Sequence, residues 1–443
     1  MSGSSGTEMP AASPASAPLF PVKSVRSRFP ALRDADDREV FLDNAAGAQV
    51  PDEVVDAVRA HYLRRNVQRG GRYRMSREVD AQILETRRLI ALLLNAAAPE
   101  EILFGLNSTN LIRTIAEAAR PLFKPGDRVV VTNLDHEANV APWLRLERDG
   151  VTPVFWRVRG REARLDPDDL RAIVAGAGGP VRLVAMPYAS NAIGRITDVS
   201  EAARIAHGAG ALLFVDAVHY GPHGPIDAQA LGADFLAFSG YKIFGPHLGF
   251  LWGREASLHR LTPVREFFIP DEAPYGFEGG TQTFEGIAGM AGAVRYLASL
   301  GDPDAAGASA AARASAAAPD SLREPLRRGM ERLRAYEMTL AAALLREMRA
   351  VPGLAILGDD DPDRVEERVP TVAFTMAGKT PGEIAEYLAA RGIHARDGHM
   401  YAPRLIEAAG LDPEPGVARV SLCHYNTLAE IARFGEALRL LVA

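Results

Sequence analysis

The segment 102–252 constrains the fold most, because short apolar runs alternate there with helix-like stretches. The runs predict buried strands at 128–132, 153–156, 181–186, 211–215, 235–238 and 249–252. The stretches between them that predict helices include 111–119, 168–175 and 199–209. Near-continuous apolar strands that alternate with helices are typical of a largely parallel sheet covered on both faces. The sequence therefore predicts an α/β fold.

Polar residues follow several of these runs at the point where each strand should end. In sheets of this kind, ligands bind outside the carboxyl ends of the strands. The residues in that position are His136, Asn191, Asp216, Ser239 and Lys242. We therefore expect these side chains to meet at one edge of the sheet and to form the functional site.

Lys242 lies between two apolar runs, in the stretch Phe238-Ser-Gly-Tyr-Lys242. Burial disfavours the charged form of an amine, so a lysine here is costly unless it is paired or neutralised. Chemistry that needs a neutral amine near pH 7, above all a Schiff base with an aldehyde cofactor, uses such a lysine. The alternative is a lysine at a strand end whose ammonium reaches solvent.

Three further motifs have both a chemical and a structural interpretation. Asp216 ends a buried run and would keep a neighbouring pyridine nitrogen protonated, unless it is a helix cap or part of a structural ion pair. Ser108 and Thr109 follow a strand and open a helix, where hydroxyls and free N–H groups bind an anion. The alternative there is simple N-capping. His136 is either a ligand-facing aromatic or a surface or capping histidine.

Composition excludes several classes of protein. The 443 residues carry a net charge of −6 in a mixed pattern, which gives no basic stripe for nucleic acid. No apolar run in the sequence approaches the roughly 20 residues that span a membrane. The single cysteine, Cys423, excludes an internal disulfide and a cysteine metal cluster, and we expect no metal ion. A cytoplasmic enzyme or binding protein fits best.

A chain of this length should contain two or three domains. We expect a disordered leader at 1–25, because this stretch is rich in Ser, Ala and Pro. Residues 26–300 should form the large domain, with the N-terminal segment partly joined to the small domain. Residues 301–320 predict a low-complexity insertion, or alternatively an alanine-rich helix. Residues 321–443 should form a smaller α+β domain with capping boxes at Thr380 and Thr427.

Together these motifs resemble pyridoxal-phosphate enzymes of fold type I, specifically the class V aminotransferase and cysteine desulfurase family, from about Phe41 to the C-terminus. The resemblance implies pyridoxal 5'-phosphate as cofactor and Lys242 as the Schiff-base residue. Asp216-Ala-Val-His219 resembles the family's Asp-x-x-Gln element, which places Asp216 at the pyridine nitrogen and His219 at the ring hydroxyl. The resemblance also implies that His136 and Asn191 contact the cofactor ring. The phosphate contacts that it implies are Ser108, Thr109, Ser239 and Tyr241.

The resemblance also implies substrate and partner residues. Arg419 matches the arginine that binds the substrate carboxylate, a task that suits a guanidinium fork. Asn44, in the small-residue turn after Phe41, is expected to bind substrate as well. Glu278-Gly-Gly-Thr281 resembles the loop through which a partner subunit completes the phosphate site. A homodimer with shared active sites, in which Thr281 reaches across, is therefore implied.

The chain departs from the family at one position that matters for the reaction. Desulfurases of the family carry a nucleophilic cysteine before the final strand, and Tyr401 stands at that position here. Cys423 lies on the strand of Arg419 and is expected to be a packed residue. We expect an enzyme acting on an α-amino acid, a C–S lyase or β-eliminase without a protein persulfide, with Tyr401 among the catalytic residues. Transamination and epimerisation are the alternatives. A non-catalytic cofactor-binding protein is a third, but it would need neither Lys242 nor Arg419.

Overall fold

The computed structural model describes residues 20–33, 39–158, 162–302, 312 and 317–442. Its main sheet contains, with strands numbered along the chain, β2 (Ile102–Gly105), β3 (Arg128–Thr132), β4 (Thr152–Trp156), β5 (Val181–Pro187), β6 (Leu212–Asp216), β7 (Phe235–Ser239) and β8 (Gly249–Gly253). Their order is β2-β8-β7-β6-β5-β3-β4. Strand β8 is antiparallel to both of its neighbours, and the other pairs are parallel. The prediction of a mostly parallel α/β sheet is confirmed.

Both faces of this sheet are buried, which explains why its strands are apolar without alternation. In β3, Val130 packs into one hydrophobic cluster while Val129 and Val131 pack into the cluster on the opposite face. The helices of this large unit are Asp52–Arg65, Arg74–Leu94, Ser108–Ala119, Ala141–Leu144, Pro167–Ala175, Val199–Gly208, Ala228–Leu231, Glu255–Leu258 and Phe284–Ser299. Across the described ranges, no helix combines the length and apolar composition needed to cross a membrane.

The C-terminal unit is built around an antiparallel sheet of β9 (Leu354–Leu357), β10 (Thr371–Met376), β12 (Arg396–Gly398) and β13 (Val417–Ser421), in the order β12-β13-β10-β9. Its helices are Arg323–Arg349, Pro381–Ala389, Pro403–Ala408 and Leu428–Val442. The capping box at Thr380 has both of its reciprocal hydrogen bonds, with Glu383. Thr427 and Glu430 cap the last helix in the same way. These local stop and start signals were readable because they depend only on neighbouring residues.

The N-terminal segment runs along the small unit before it enters the large one. Strand β1 (Val40–Phe41) pairs in parallel with β11 (Ile393–His394). Asp43 then forms a parallel bridge with Ser421, the last residue of β13. This crossing brings residues 43–46 beside the carboxyl ends of the main strands.

Part of the expected leader is structured. Phe20 stacks on Tyr336 with ring centroids 4.7 Å apart, and Val22–Arg26 is a helix with Val25 buried. Arg26 forms an ion pair with Glu430 at 3.0 Å. The expectation of disorder is therefore wrong for 20–25, because these residues have partners almost the whole chain length away. Residues 1–19 of the leader, and 303–311 and 313–316 of the insertion, lie outside the described residues.

Candidate active site

The carboxyl ends of the main strands open onto a cavity of about 370 Å³. The small unit closes its other side with Arg396, Met400, Tyr401 and Arg419. Ten of the residues expected at the site line this cavity: Ser108, Thr109, His136, Asn191, Asp216, His219, Tyr241, Lys242, Tyr401 and Arg419. The structure therefore brings these residues together at the carboxyl ends of the strands, where parallel sheets generally bind ligands.

Lys242 ends a short 3-10 turn that directly follows β7. Its side chain does not reach solvent, because the residue is only 7% exposed. Burial, followed by the nearby Arg419 charge, lowers its pKa from 10.5 to about 8, although Asp216 and Asp43 act in the opposite direction. The amine can therefore lose its proton close to neutral pH, as a nucleophile or a base requires.

Asp216 ends β6, and its Oδ1 accepts a hydrogen bond from the Val218 N–H at 2.9 Å. Burial raises the pKa of this carboxyl group, while the Val218 N–H and Lys242 lower it. A cation placed in the cavity would favour the ionised form further. This environment suits a carboxylate that holds a protonated ring nitrogen.

His136 has both of the roles considered for it. Its Nδ1 accepts a hydrogen bond from the Ala138 N–H at 3.0 Å and caps the 3-10 helix Glu137–Asn139. The ring also lines the cavity. Burial, then Lys242 and Arg419, lowers its pKa to about 4. His136 is thus a neutral, fixed aromatic ring, which suits stacking against a flat ligand.

Three buried polar atoms of the cavity residues lack a hydrogen-bond partner among the residues that the structure describes. They are Asn191 Oδ1, His219 Nδ1 and Arg419 Nε. The other ends of these groups are engaged: Asn191 Nδ2 donates to Met400 O at 2.7 Å, and His219 Nε2 lies 3.0 Å from Thr371 Oγ1. Buried polar groups are normally satisfied. The cavity is therefore suited to a ligand with several polar substituents.

One end of the cavity is suited to an anion. Ser108 is the first residue of the helix Ser108–Ala119, where unpaired backbone N–H groups favour negative charge. Ser239 does not line the cavity itself, but its hydroxyl donates to Ser108 Oγ at 2.8 Å. Gly249 allows β8 to approach this turn, since a Cβ there would lie 2.3 Å from the Asn107 carbonyl carbon. Thr109 and Tyr241 complete this end.

Arg419 lies on the opposite side and is held in place by the backbone and by a carboxylate. Its Nη1 donates to Asn191 O at 2.9 Å, and its Nη2 lies 3.2 Å from Asp43 Oδ1. Asp43 also pairs with Arg396, whose Nε is 2.9 Å from Oδ2. Arg396 and Asp43 were not among the predicted site residues. The register of β12 against β13, which sets Arg396 opposite Arg419, brings them here.

Besides Ser239, two expected residues do not line this cavity. Asn44 is wrongly assigned to substrate binding, because its amide is fully used within the scaffold: Nδ2 donates to Ser421 O at 2.7 Å, and Oδ1 accepts from the Tyr425 hydroxyl. Its neighbours Ala45 and Ala46 line the cavity instead. Thr281 is exposed on the glycine-containing turn of its own chain, near Gln68.

Tyr401 stands at the mouth of the cavity with 59% of its surface exposed. Met400 and Tyr401 both have left-handed backbone angles, with φ of 53° and 58°. Tyr401 O accepts from the Glu137 N–H at 2.8 Å, and its N–H donates to His399 Nδ1 at 3.0 Å. These bonds hold the unusual backbone of the loop in place. Cys423 is buried, does not line the cavity, and burial raises its pKa well above the usual range.

Fold and cavity together define a class, the pyridoxal-phosphate enzymes of fold type I. The aminotransferase class-V family model matches residues 40–323 and 322–434. The chain belongs to this family. It is 32% identical over 433 residues to the aminotransferase-like protein FGM3 of Gibberella zeae, covering 96% of this chain and 99% of that protein. A cysteine desulfurase of Yersinia pseudotuberculosis is 29% identical over 440 residues, with 95% and 98% covered.

A solved structure gives the same result for the fold. The apo cysteine desulfurase of Thermococcus onnurineus NA1 superimposes with a TM-score of 0.81 at 27% identity, covering 96% of this chain and 98% of that one. Members of the family depend on pyridoxal 5'-phosphate, so the predictions of an enzyme and of this cofactor are confirmed. The residues present fit the cofactor, because the unpaired atoms of Asn191 and His219 and the helix start at Ser108 offer partners for ring and phosphate oxygens.

Proposed function

We propose that this protein is a pyridoxal-phosphate enzyme that cleaves a C–S bond, or eliminates another β-substituent, of an α-amino acid. The observation that carries the proposal is the buried amine of Lys242, with a pKa of about 8, in a cavity that also contains Arg419. A protein that only bound the cofactor would need neither a reactive amine nor a buried carboxylate clamp.

The residues of this chain have separate tasks in the proposed reaction. Arg419 binds the substrate carboxylate, because its guanidinium is buried and one of its nitrogens is still unpaired. Lys242 takes the proton from the substrate Cα, and the bond to the β-substituent then breaks with its electron pair leaving on that group. Asp216 stabilises positive charge on the ring nitrogen, and His136 holds the ring from one face. The bound cofactor supplies an electron-accepting ring for the charge that develops at Cα.

The absence of a usable thiol supports loss of the β-substituent without a protein persulfide. Cys423, the only cysteine in the sequence, is buried outside the cavity, and burial keeps its thiol protonated. Tyr401 at the mouth has a phenol, which does not accept sulfur. It is suited to donate a hydrogen bond or a late proton to a leaving group. Transamination is the second candidate, which the aminotransferase-like name of one relative favours.

We also propose a homodimer in which Thr281 of each chain contributes to the phosphate site of the other, and a cytoplasmic location. Thr281 is exposed, does not line the cavity of its own chain, and follows Gly280, whose φ of 71° suits glycine. Glu278 anchors the start of this loop through Arg87 at 2.6 Å. An exposed loop that is anchored at its start fits an isologous interface.

Reduction with borohydride tests the cofactor assignment. The sequence contains four lysines, so peptide mass analysis can assign a pyridoxyl group without ambiguity. We expect it on Lys242, and we expect Lys379→Met, a change at an exposed lysine, to leave the labelling unchanged. Labelling of Lys23, Lys124 or Lys379 instead, or of none after cofactor is added, would contradict the assignment.

A panel of amino acids, followed by product analysis, tests the reaction. C–S cleavage predicts free sulfide together with pyruvate from cysteine-like substrates, and no persulfide on the protein. Keto-acid formation that requires a second keto acid as amino acceptor would identify transamination instead. Persulfide on Cys423 that is lost together with activity in Cys423→Ser would restore a desulfurase.

A further inference from the structure

Strand β10 places Thr371 directly behind the cavity, where Thr371 Oγ1 lies 3.0 Å from His219 Nε2. The start of this strand is locked against the loop that carries Asn191. The Val369 N–H donates to Gly194 O at 2.9 Å, and a Cβ at Gly194 would lie 2.5 Å from Thr371 O. Gly194 has a φ of 73°, which only glycine adopts readily. Thr371 is therefore held at a fixed distance from the His219 ring.

The direction of this hydrogen bond follows from the surroundings of the hydroxyl. Thr371 is 0% exposed, so its hydroxyl proton cannot bond to water. Among the described residues, His219 Nε2 is the one hydrogen-bond partner of Thr371 Oγ1. If Nε2 carried the proton and donated it, the hydroxyl proton would have no acceptor, which is costly in a buried site. Donation from Thr371 to His219 Nε2 satisfies this hydroxyl and leaves Nδ1 of His219, a cavity-lining residue, available to a ligand.

His219 is neutral at this position, so a hydrogen bond donated by Thr371 to Nε2 leaves its one ring proton on Nδ1. Burial, then Lys242, His223 and Arg419, lowers the pKa of His219 well below its ordinary value. Behind it the His223 ring packs at 5.6 Å, and His223 Nδ1 pairs with Glu337 Oε2 at 2.7 Å. Asp216 and Lys242 also line the cavity with it. Nδ1 of His219 thus has no hydrogen-bond partner from the described part of the chain.

We propose that Thr371 is a positioning residue that fixes His219 as the Nδ1–H tautomer, so that His219 donates a hydrogen bond to the ring oxygen of the cofactor. The proposal rests on the proposed function for the role of His219. A ring oxygen that accepts this bond is stabilised in its deprotonated form. The small unit thereby sets the proton affinity of a cofactor bound to the large unit.

The tautomer is measured without the cofactor, by 15N spectra of the full chain labelled at histidine. The signals of His219 are assigned by their loss in His219→Gln. In the wild type and in Thr371→Ser, which keeps the hydroxyl, Nδ1 should carry the proton. In Thr371→Val, which has the same shape without the donor, this preference should be lost. Thr375→Val, on the same strand, is the matched control and should behave as the wild type.

The consequence for the cofactor is measured by titrating its absorption band in the loaded protein. Loss of the donor should raise the apparent pKa of the band in Thr371→Val by about one unit relative to wild type, Thr371→Ser and Thr375→Val. An Nε2–H tautomer in the wild type, or a Thr371→Val protein with unchanged tautomer and unchanged titration, would overturn the proposal. If the wild type instead fails to bind cofactor at Lys242, the proposed function fails and the donor role of His219 falls with it. The tautomer measurement distinguishes the two failures.

Discussion

Replacing Lys242 with methionine should stabilise the cofactor-free protein at neutral pH. Burial and the Arg419 charge lower the pKa of Lys242 from 10.5 to about 8, so the fold opposes the protonated amine. Methionine has a similar unbranched shape without the charge. The substitution therefore removes an unfavourable interaction and keeps most of the packing.

The magnitude and its pH range follow from the same pKa difference. The folded chain releases this proton at lower pH than the unfolded chain does. Above pH 10.5 the amine is neutral in both states, and Lys242 does not lower the stability. As the pH falls the fold increasingly opposes the protonated amine, and the full stability is lost once the pH has passed through about 8. The difference of about 2.5 pKa units, at about 1.4 kcal/mol for each unit, predicts about 3 kcal/mol between these limits. At pH 7, Lys242→Met should be the more stable protein by roughly this amount.

Urea unfolding of both proteins between pH 7 and pH 10.5, after removal of the cofactor, measures this difference. Subtracting the two curves removes the contributions of groups that titrate alike in both proteins. Lys379→Met, which changes an exposed lysine, should show no such pH-dependent difference from the wild type. A stability gap between wild type and Lys242→Met that does not change over this range would refute the argument that the fold depresses the pKa of Lys242.

Three other predictions concern substrate, thiol and assembly. Arg419→Ala should raise KM by about 100-fold, because the buried carboxylate of the substrate loses its charged partner. Arg419→Lys should recover only part of the affinity, and steady-state kinetics measures both variants. Cys423→Ala should keep most of the turnover on the true substrate, and a loss of all activity would contradict the buried position of the thiol. Mixing inactive Lys242→Ala and Thr281→Ala chains should restore one intact site per mixed dimer, and no recovery of activity would exclude shared sites.

The main sheet was predictable because most of its strands are buried on both faces and are therefore largely apolar. All six predicted runs became strands, with ends within one residue of the expected bounds. Apolar residues at helical spacing predict a helix over 81–97, but the observed helix, Arg74–Leu94, begins seven residues earlier. The pattern misses this first part because 74–80 contain mostly polar residues. The helix begins where it does because Val79 and the turns after it pack into the core, and the local sequence pattern does not show this packing.

The site was predictable where it follows from strand ends, and not where it depends on contacts between distant segments. Lys242 and Asp216 each follow a recognisable strand. Asn44 was misassigned because Ser421 and Tyr425, which use its amide, lie about 380 positions away in the sequence. The ion pairs of Asp43 with Arg396 and Arg419 depend on the register of β12 and β13, which a single sequence does not specify.

The chemistry of the cavity is divided between the two units, and Asn191 joins them. Its backbone carbonyl accepts from Arg419, the proposed carboxylate clamp, at 2.9 Å, and its side chain donates to Met400 O, in the Tyr401 loop, at 2.7 Å. The third group, Oδ1, has no partner within the described ranges and is left for a ligand. A change in the position of the small unit should therefore alter the proposed carboxylate clamp, the loop at the mouth and the proposed cofactor contact of Asn191 together. Because these three contacts share one residue, the position of the clamp and the position of the loop are coupled to binding in the cavity.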